Sequence, residues 1–204
     1  MKKLMILFVI GVFLVSCKKE RNFHISAKNA VTGEPYAGLS YEIQRSWSGS
    51  FENKYKSVGS GVLDANGEAF FTKRLHDNSS YSISVAPPPN TCYISDSDLH
   101  AGGDKNFKAE FEFAECAYLK LNIHNINCID ANDYMEYRRS GLSIAENNNF
   151  VQIDGCFQYE GEYFALPIGE YKYEWNVTKG GITNSYDSIF YLTNNQYFEF
   201  TLNY

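Results

Sequence analysis

The groups in this 204-residue chain that could do chemistry are five cysteines, four histidines and a few acidic turns. Their spacing rules out most of what such groups do. A zinc site needs close pairs such as C-x2-C, whereas Cys92, Cys116, Cys128 and Cys156 follow one another at intervals of 24, 12 and 28 residues. His24, His76, His100 and His124 are isolated from one another along the chain, so no H-E-x-x-H pair arises. Neither a G-x-S-x-G elbow nor a phosphate-cradling glycine loop is present. Distant carboxylates could converge into an acid–base pair on folding, but nothing in the pattern asks for it. A non-catalytic protein is expected.

Two kinds of site remain. Calcium takes oxygen donors from loops, and the run 130–133 supplies them from Asp130, Asn132 and Asp133. Asp96, Asp98 and Asp104 form a looser group. Neither has the full D-x-[DN]-x-[DN]-G-x5-E spacing, and short acidic side chains in turns commonly bond their own backbone instead. Ca2+ is thus the one cofactor the sequence offers. Trp47, Phe51 and Tyr55, in RSWSGSFENKYK, could form an aromatic platform for a sugar or a peptide, or cover one edge of the core. The polar, Asn-rich run 138–149, RRSGLSIAENNN, reads as a loop and is the other place where a ligand could be held.

The start of the chain sets where such sites would work. After Lys2 and Lys3, an apolar run from Leu4 to Val15 is broken only by Gly11. It is shorter than the roughly 20 residues that span a bilayer and has the proportions of a secretory leader. It ends in Leu14-Val15-Ser16-Cys17, which resembles the lipobox of bacterial lipoproteins. That resemblance implies removal of residues 1–16 and a lipid on Cys17, with residues 17–22 as a lipidated tether. Loss of Lys2 and Lys3 moves the net charge from −6 to about −8. An acidic chain is a poor partner for phosphates, so no nucleic acid is expected. Surface export resembles a rule that asks for acidic residues after the cysteine. Lys18 and Lys19 stand there instead, which favours the periplasmic face of the outer membrane over the cell surface.

The elements that position these residues are strands. Aromatic residues make up 16% of the chain, and many alternate with polar ones. Phe107 to Phe113, Leu119 to Ile123, Tyr171 to Val177 and Phe198 to Tyr204 all repeat with period two, the signature of a strand with one buried face. No helical periodicity follows the leader. An all-β protein is expected, built from two tandem immunoglobulin-like (transthyretin-like) antiparallel sandwiches over 23–116 and 117–204. Asp64-Ala65-Asn66-Gly67 reads as a hairpin turn and Lys179-Gly180-Gly181 as a turn. Residues 86–106 make a long loop that needs a staple.

An exported chain meets an oxidising compartment, so the four remaining cysteines read as two disulfides. Three pairings exist. A Cys116–Cys128 bridge would span the 118–123 strand end to end, about 20 Å, whereas a disulfide needs Cα atoms within about 7 Å. Cys92–Cys116 would tie down the long loop and Cys128–Cys156 would close the 138–149 segment, so these pairs are expected, with the crossed pairing open only to two sandwiches folded tightly together.

NAVTGEPYAGLSYEI (29–43), GVLDANGEAFFTKRL (61–75) and NSSYSISVAPP (78–88) together resemble the carboxypeptidase-regulatory-like, or transthyretin-like, domain. The resemblance covers about half the mature chain and implies a β-sandwich there. Its enzymatic relatives hydrolyse hydroxyisourate with paired histidines and a C-terminal Tyr-Arg-Gly-Ser, and this chain, ending Thr201-Leu202-Asn203-Tyr204, has neither. As a whole the chain resembles small sandwich lipoproteins of Bacteroidota-type bacteria. That resemblance implies a membrane contact through the N-terminal lipid and an envelope protein or glycan as partner.

Overall fold

The computed structural model describes residues 18–49, 52–77, 79–95, 105–142 and 149–204, and the backbone of 99–101. The leader, Cys17, Phe51 and the acidic residues Asp96, Asp98 and Asp104 lie outside them. The described residues form an all-β protein of the sandwich class. The strands are β1 (Lys18–Asn29), β2 (Ser40–Ser48), β3 (Asn53–Val62), β4 (Glu68–His76), β5 (Ser80–Val85), β6 (Thr91–Ile94), β7 (Leu99–Ala101) and β8 (Asn106–His124). There follow β9 (Tyr134–Ser140), β10 (Val151–Asp154), β11 (Gln158–Glu160), β12 (Phe164–Pro167), β13 (Gly169–Lys179), β14 (Ile182–Leu192) and β15 (Tyr197–Asn203). The chain divides into two compact units, one of residues up to 28, 34–86 and 95–111, the other of 29–33, 87–94 and 112–204.

In the first unit β1 pairs antiparallel with β4, and β3, β2, β5 and β7 form a second sheet in that order. Alternation along β1 buries Phe23, Ile25 and Ala27. The Phe23 ring stacks on Phe71 and on Phe107, each at 4.8 Å. Two expectations change here. Residues 18–22 are not a free tether but the first turns of β1's ladder, with Lys18 opposite His76 and Arg21 opposite Lys73. Arg21 is buried and bonded to Asp77, which also holds Lys19 at 2.7 Å, so the segment is pinned to the sheet. The Asp64–Gly67 turn does not close a hairpin, because β3 and β4 lie in different sheets. Gly67 (φ +70°) is required for another reason. A Cβ there would stand 2.7 Å from the Ala27 carbonyl, where β1 accepts its close approach.

The second unit is a sandwich. One sheet runs β10-β9-β13-β14, all antiparallel. The other is built on β8, which pairs antiparallel with β6, β11 and β12 and parallel with β15. Leu119, Ile123 and Leu202 from this sheet meet Met135, Tyr171, Tyr173 and Leu192 from the first in one core. Gly180 and Gly181 (φ +55° and +79°) join β13 to β14, the double positive φ that a type I′ hairpin demands. The strands read at 107–113 and 118–123 are one strand, since Ala114-Glu115-Cys116-Ala117 contains nothing that breaks extension.

The cysteines pair Cys92 with Cys116 (Cα atoms 5.0 Å apart) and Cys128 with Cys156 (5.3 Å). The first staples β6, which the 86–106 segment contains, to β8. Closing loops of 24 and 28 residues is worth roughly 3–4 kcal/mol each in the chain-entropy model. Replacing both members of either pair by Ser should therefore lower the thermal midpoint by ten degrees or more, on the order of 4 °C per kcal/mol. Non-reducing peptide mapping should return only these two cross-linked peptides. A peptide joining Cys92 to Cys128 or Cys156 would contradict the pairing.

Candidate ligand-binding site

Two adjacent arginines end β9, and the pleat gives them different surroundings. The register of β9 on β13 sets Arg138 opposite Glu174 and Arg139 opposite Tyr173. Successive residues of a strand project to opposite faces. Arg138 Nε donates to Glu174 Oε2 at 2.7 Å, and Lys172 Nζ donates to Oε1 at 2.8 Å. The bond from Arg138, then that from Lys172, holds the Glu174 carboxyl down at about 2. Arg139 shares the inward face with Tyr137 and Tyr173. Its Nη1 donates to the Tyr173 hydroxyl at 3.4 Å, and its guanidinium lies 5.4 Å from the centre of the Phe164 ring. Among the described residues no carboxylate forms an ion pair with it.

This cation borders a cavity of about 550 Å3 between the sheets of the second unit. Leu121 and Ile123 of β8, Tyr137 of β9, Val151 and Ile153 of β10, Tyr159 of β11 and Phe164 of β12 supply its walls, with Phe157 and Glu162 from the connections. Burial raises the Tyr173 hydroxyl against the opposing charge of Arg139, and burial pushes Tyr171 up to about 12. Both phenols are therefore neutral across the physiological range. A cavity of this size, with apolar and aromatic walls and with Arg138, Arg139, Asn149 and Glu162 on its lining, can hold a small molecule. Among the described residues it holds two arginines to receive an anion and rings to stack on, and no nucleophile set beside a base.

The sites expected from sequence fare differently. Trp47 stands opposite Lys54 and Tyr55 opposite Ser46 in the β2–β3 ladder, so the two rings point to opposite faces and cannot share a platform. Arg45 covers Trp47 at 4.5 Å, while Tyr55 is 62% exposed. Oxygens of the 130–133 turn are engaged locally, except that Asp133 Oδ1 is buried without a hydrogen-bond partner among the described residues. Asp130 Oδ1 accepts from the Asn132 amide at 2.7 Å, and the buried Asp133 accepts from Ile129 N at 2.8 Å and the Asn125 side chain. Among the described residues no three acidic, His or Cys side chains gather as a metal would require. Arg138 and Arg139 belong to a strand rather than to a loop, and residues 143–148 lie outside the described residues. Sequence reasoning missed the cavity, although Met135, Tyr137 and Arg139 form an alternating series that places a cation where an apolar residue is due.

A second surface also escaped notice. Tyr197, 64% exposed, stacks on Tyr118 at 4.7 Å and meets the edge of Tyr163, itself 42% exposed. Beside them Asn90 Nδ2 donates to Oδ1 of Asn194 and of Asn195.

No family model matches the chain, and no curated protein matches it. Among solved structures it is similar to the C-terminal domain of the shaft pilin SpaA of Lactobacillus rhamnosus GG, at 11% identity and TM-score 0.33, over 48% of this chain and 100% of that one. It is also similar to a streptococcal ancillary pilin (13%, 0.34, 89% of this chain and 62% of that one). The major pilin SpaD of Corynebacterium diphtheriae gives a comparable likeness (11%, 0.35, 87% and 68%). At such scores the likeness brings nothing about function to this chain.

The Glu174 carboxyl lies far below its ordinary value of 4.5. Its ion pairs therefore stabilise the fold fully above that value, and the contribution is lost as pH falls through about 2. The melting temperature of Glu174→Gln should fall short of wild type by a few degrees at most above pH 5, since the pair is partly solvated. The gap should close towards pH 2. A gap independent of pH would show that Glu174 acts through packing.

Proposed function

We propose that this protein is a non-catalytic lipoprotein of the bacterial envelope, held by a lipid on Cys17 and binding a small ligand in the cavity of its second unit. The observation that carries the binding reading is Arg139, a cation without a carboxylate partner among the described residues, set on the inner face of a sandwich beside a cavity with apolar and aromatic walls. The non-catalytic reading draws on the engagement of the reactive groups. Four cysteines are cross-linked, His24 is bonded to Glu68 at 3.0 Å and His124 to Glu160 at 2.6 Å. The lipid reading draws on the Leu14–Cys17 motif. Lipid chains add about 0.8 kcal/mol of membrane affinity per buried CH2, enough for stable anchoring when two or more are present. The basic residues after Cys17 support the periplasmic face.

Expressed in a lipoprotein-processing bacterium, the wild type should sediment with membranes and carry lipid mass, and Cys17→Ser should be soluble and unlipidated. Lipid-free mature wild type would sink the anchor. In native mass spectrometry of protein released from membranes, wild type should retain a small-molecule adduct. Val151→Trp, a change at an exposed position on the cavity's border, should lose it, and adducts unaffected by that change would count against the cavity.

The exposed Tyr163–Tyr197 pair beside three asparagines favours a second reading, a glycan-binding lipoprotein, because a ring face stacks on the apolar face of a sugar while amides bond its hydroxyls. Binding on a glycan array that disappears with Tyr197→Ala would support it, and an array without signal would remove it.

A further inference from the structure

We infer that the ligand of this cavity carries one carboxylate on an apolar or aromatic body, and that Arg139 receives the carboxylate. The inference rests on the cavity being a binding site and names the class of its occupant.

The placement of Arg139 argues for an anion. On β9 the inward series runs Met135, Tyr137, Arg139, and Met135 is fully buried. A guanidinium at the next position of such a face loses hydration, which is costly unless a partner restores it. The neighbouring Arg138 has that partner in Glu174. Arg139 has one long bond to a phenol and a ring contact, leaving most of its donors for something else. The planar fork of a guanidinium matches a carboxylate in bidentate fashion.

The charge count sets how much anion fits. Arg138 also lines the cavity but shares the Glu174 carboxylate with Lys172, so these three groups and Arg139 together leave two positive charges, against which Glu162 on the lining sets one negative. The net single positive charge matches a monocarboxylate, whereas a dianion such as a phosphate monoester would exceed it. The phenol of Tyr173 is kept protonated by burial and can donate to the same anion without repelling it. The body of the ligand follows from the walls, where Leu121, Ile123, Ile153 and Phe157 offer apolar and aromatic contact. The volume of about 550 Å3 suits a small molecule or the last one or two residues of a peptide.

The test pairs acids with their neutral amides, using N-acetyltryptophan, N-acetylleucine and hexanoate, each against its amide, followed by the shifts of cavity-lining amides in the nuclear magnetic resonance spectrum. A terminal dipeptide with a free or an amidated carboxyl distinguishes a peptide end from a free acid. At least one acid should bind about tenfold more tightly than its amide. Arg139→Gln should erase that preference while leaving the melting temperature near wild type, and Arg139→Lys should restore part of it. Acid and amide binding equally in the cavity would overturn the carboxylate class and leave the cavity as a binding site. Cavity amides that none of the probes shifts would overturn both.

Discussion

The backbone of β8 is the constraint on which the second unit depends. From Phe113 to His124 it is paired by β6, β12, β11 and β15. A buried strand cannot leave its N–H and C=O groups unpaired without a cost of about one to a few kcal/mol each. Four separate segments are thereby drawn to one line, including the eight-residue stretch 87–94 that lies far from the others in sequence. Its inward side chains, Ala117, Leu119 and Ile123, are fully or almost fully buried, so the same strand that organises the hydrogen bonds also supplies the floor of the core.

The register of β9 on β13 has the corresponding role for the cavity. A slip of one residue would exchange the faces of Arg138 and Arg139. Arg139 would then lie on the face of Glu174 and Arg138 on that of Tyr173. The cross-strand ion pair and the inward arginine are thus two consequences of one alignment. Tyr173, fully buried, fixes that alignment from the β13 side, since its ring cannot be turned outward without emptying the core.

Much of this was legible in the residues and some was not. Period-two patterning identifies the strands at 119–123, 171–177 and 198–204 because each has one wet and one dry face. The loop-length argument reaches the cysteine pairs because a bridge cannot span an extended strand. What periodicity does not carry is which strand pairs with which. The Asp64–Gly67 turn reads as a hairpin locally, yet its strands belong to different sheets, and the glycine answers to the Ala27 carbonyl. Trp47 and Tyr55 are close in sequence, but cross-strand register decides that they face apart. The cavity was hidden for the same reason, since its walls come from β8, β9, β10, β11 and β12. Its one local trace is an arginine in an apolar series, which polar neighbours in RRSGLSIAENNN make look like loop.

The parallel pairing of β15 with β8 bears on how the second unit assembles. Tyr118 pairs with Tyr197, so this ladder joins residues about 80 positions apart, and the core cannot close around Leu202 until both are present. Contacts of such long sequence separation are slow to form, because the intervening chain must surrender its freedom before it is rewarded. The Cys128–Cys156 bridge lies wholly inside that intervening chain. Formed early, it shortens the path between the two strands by more than a third, so an oxidising environment would act on the rate at which the sandwich closes as well as on its final stability.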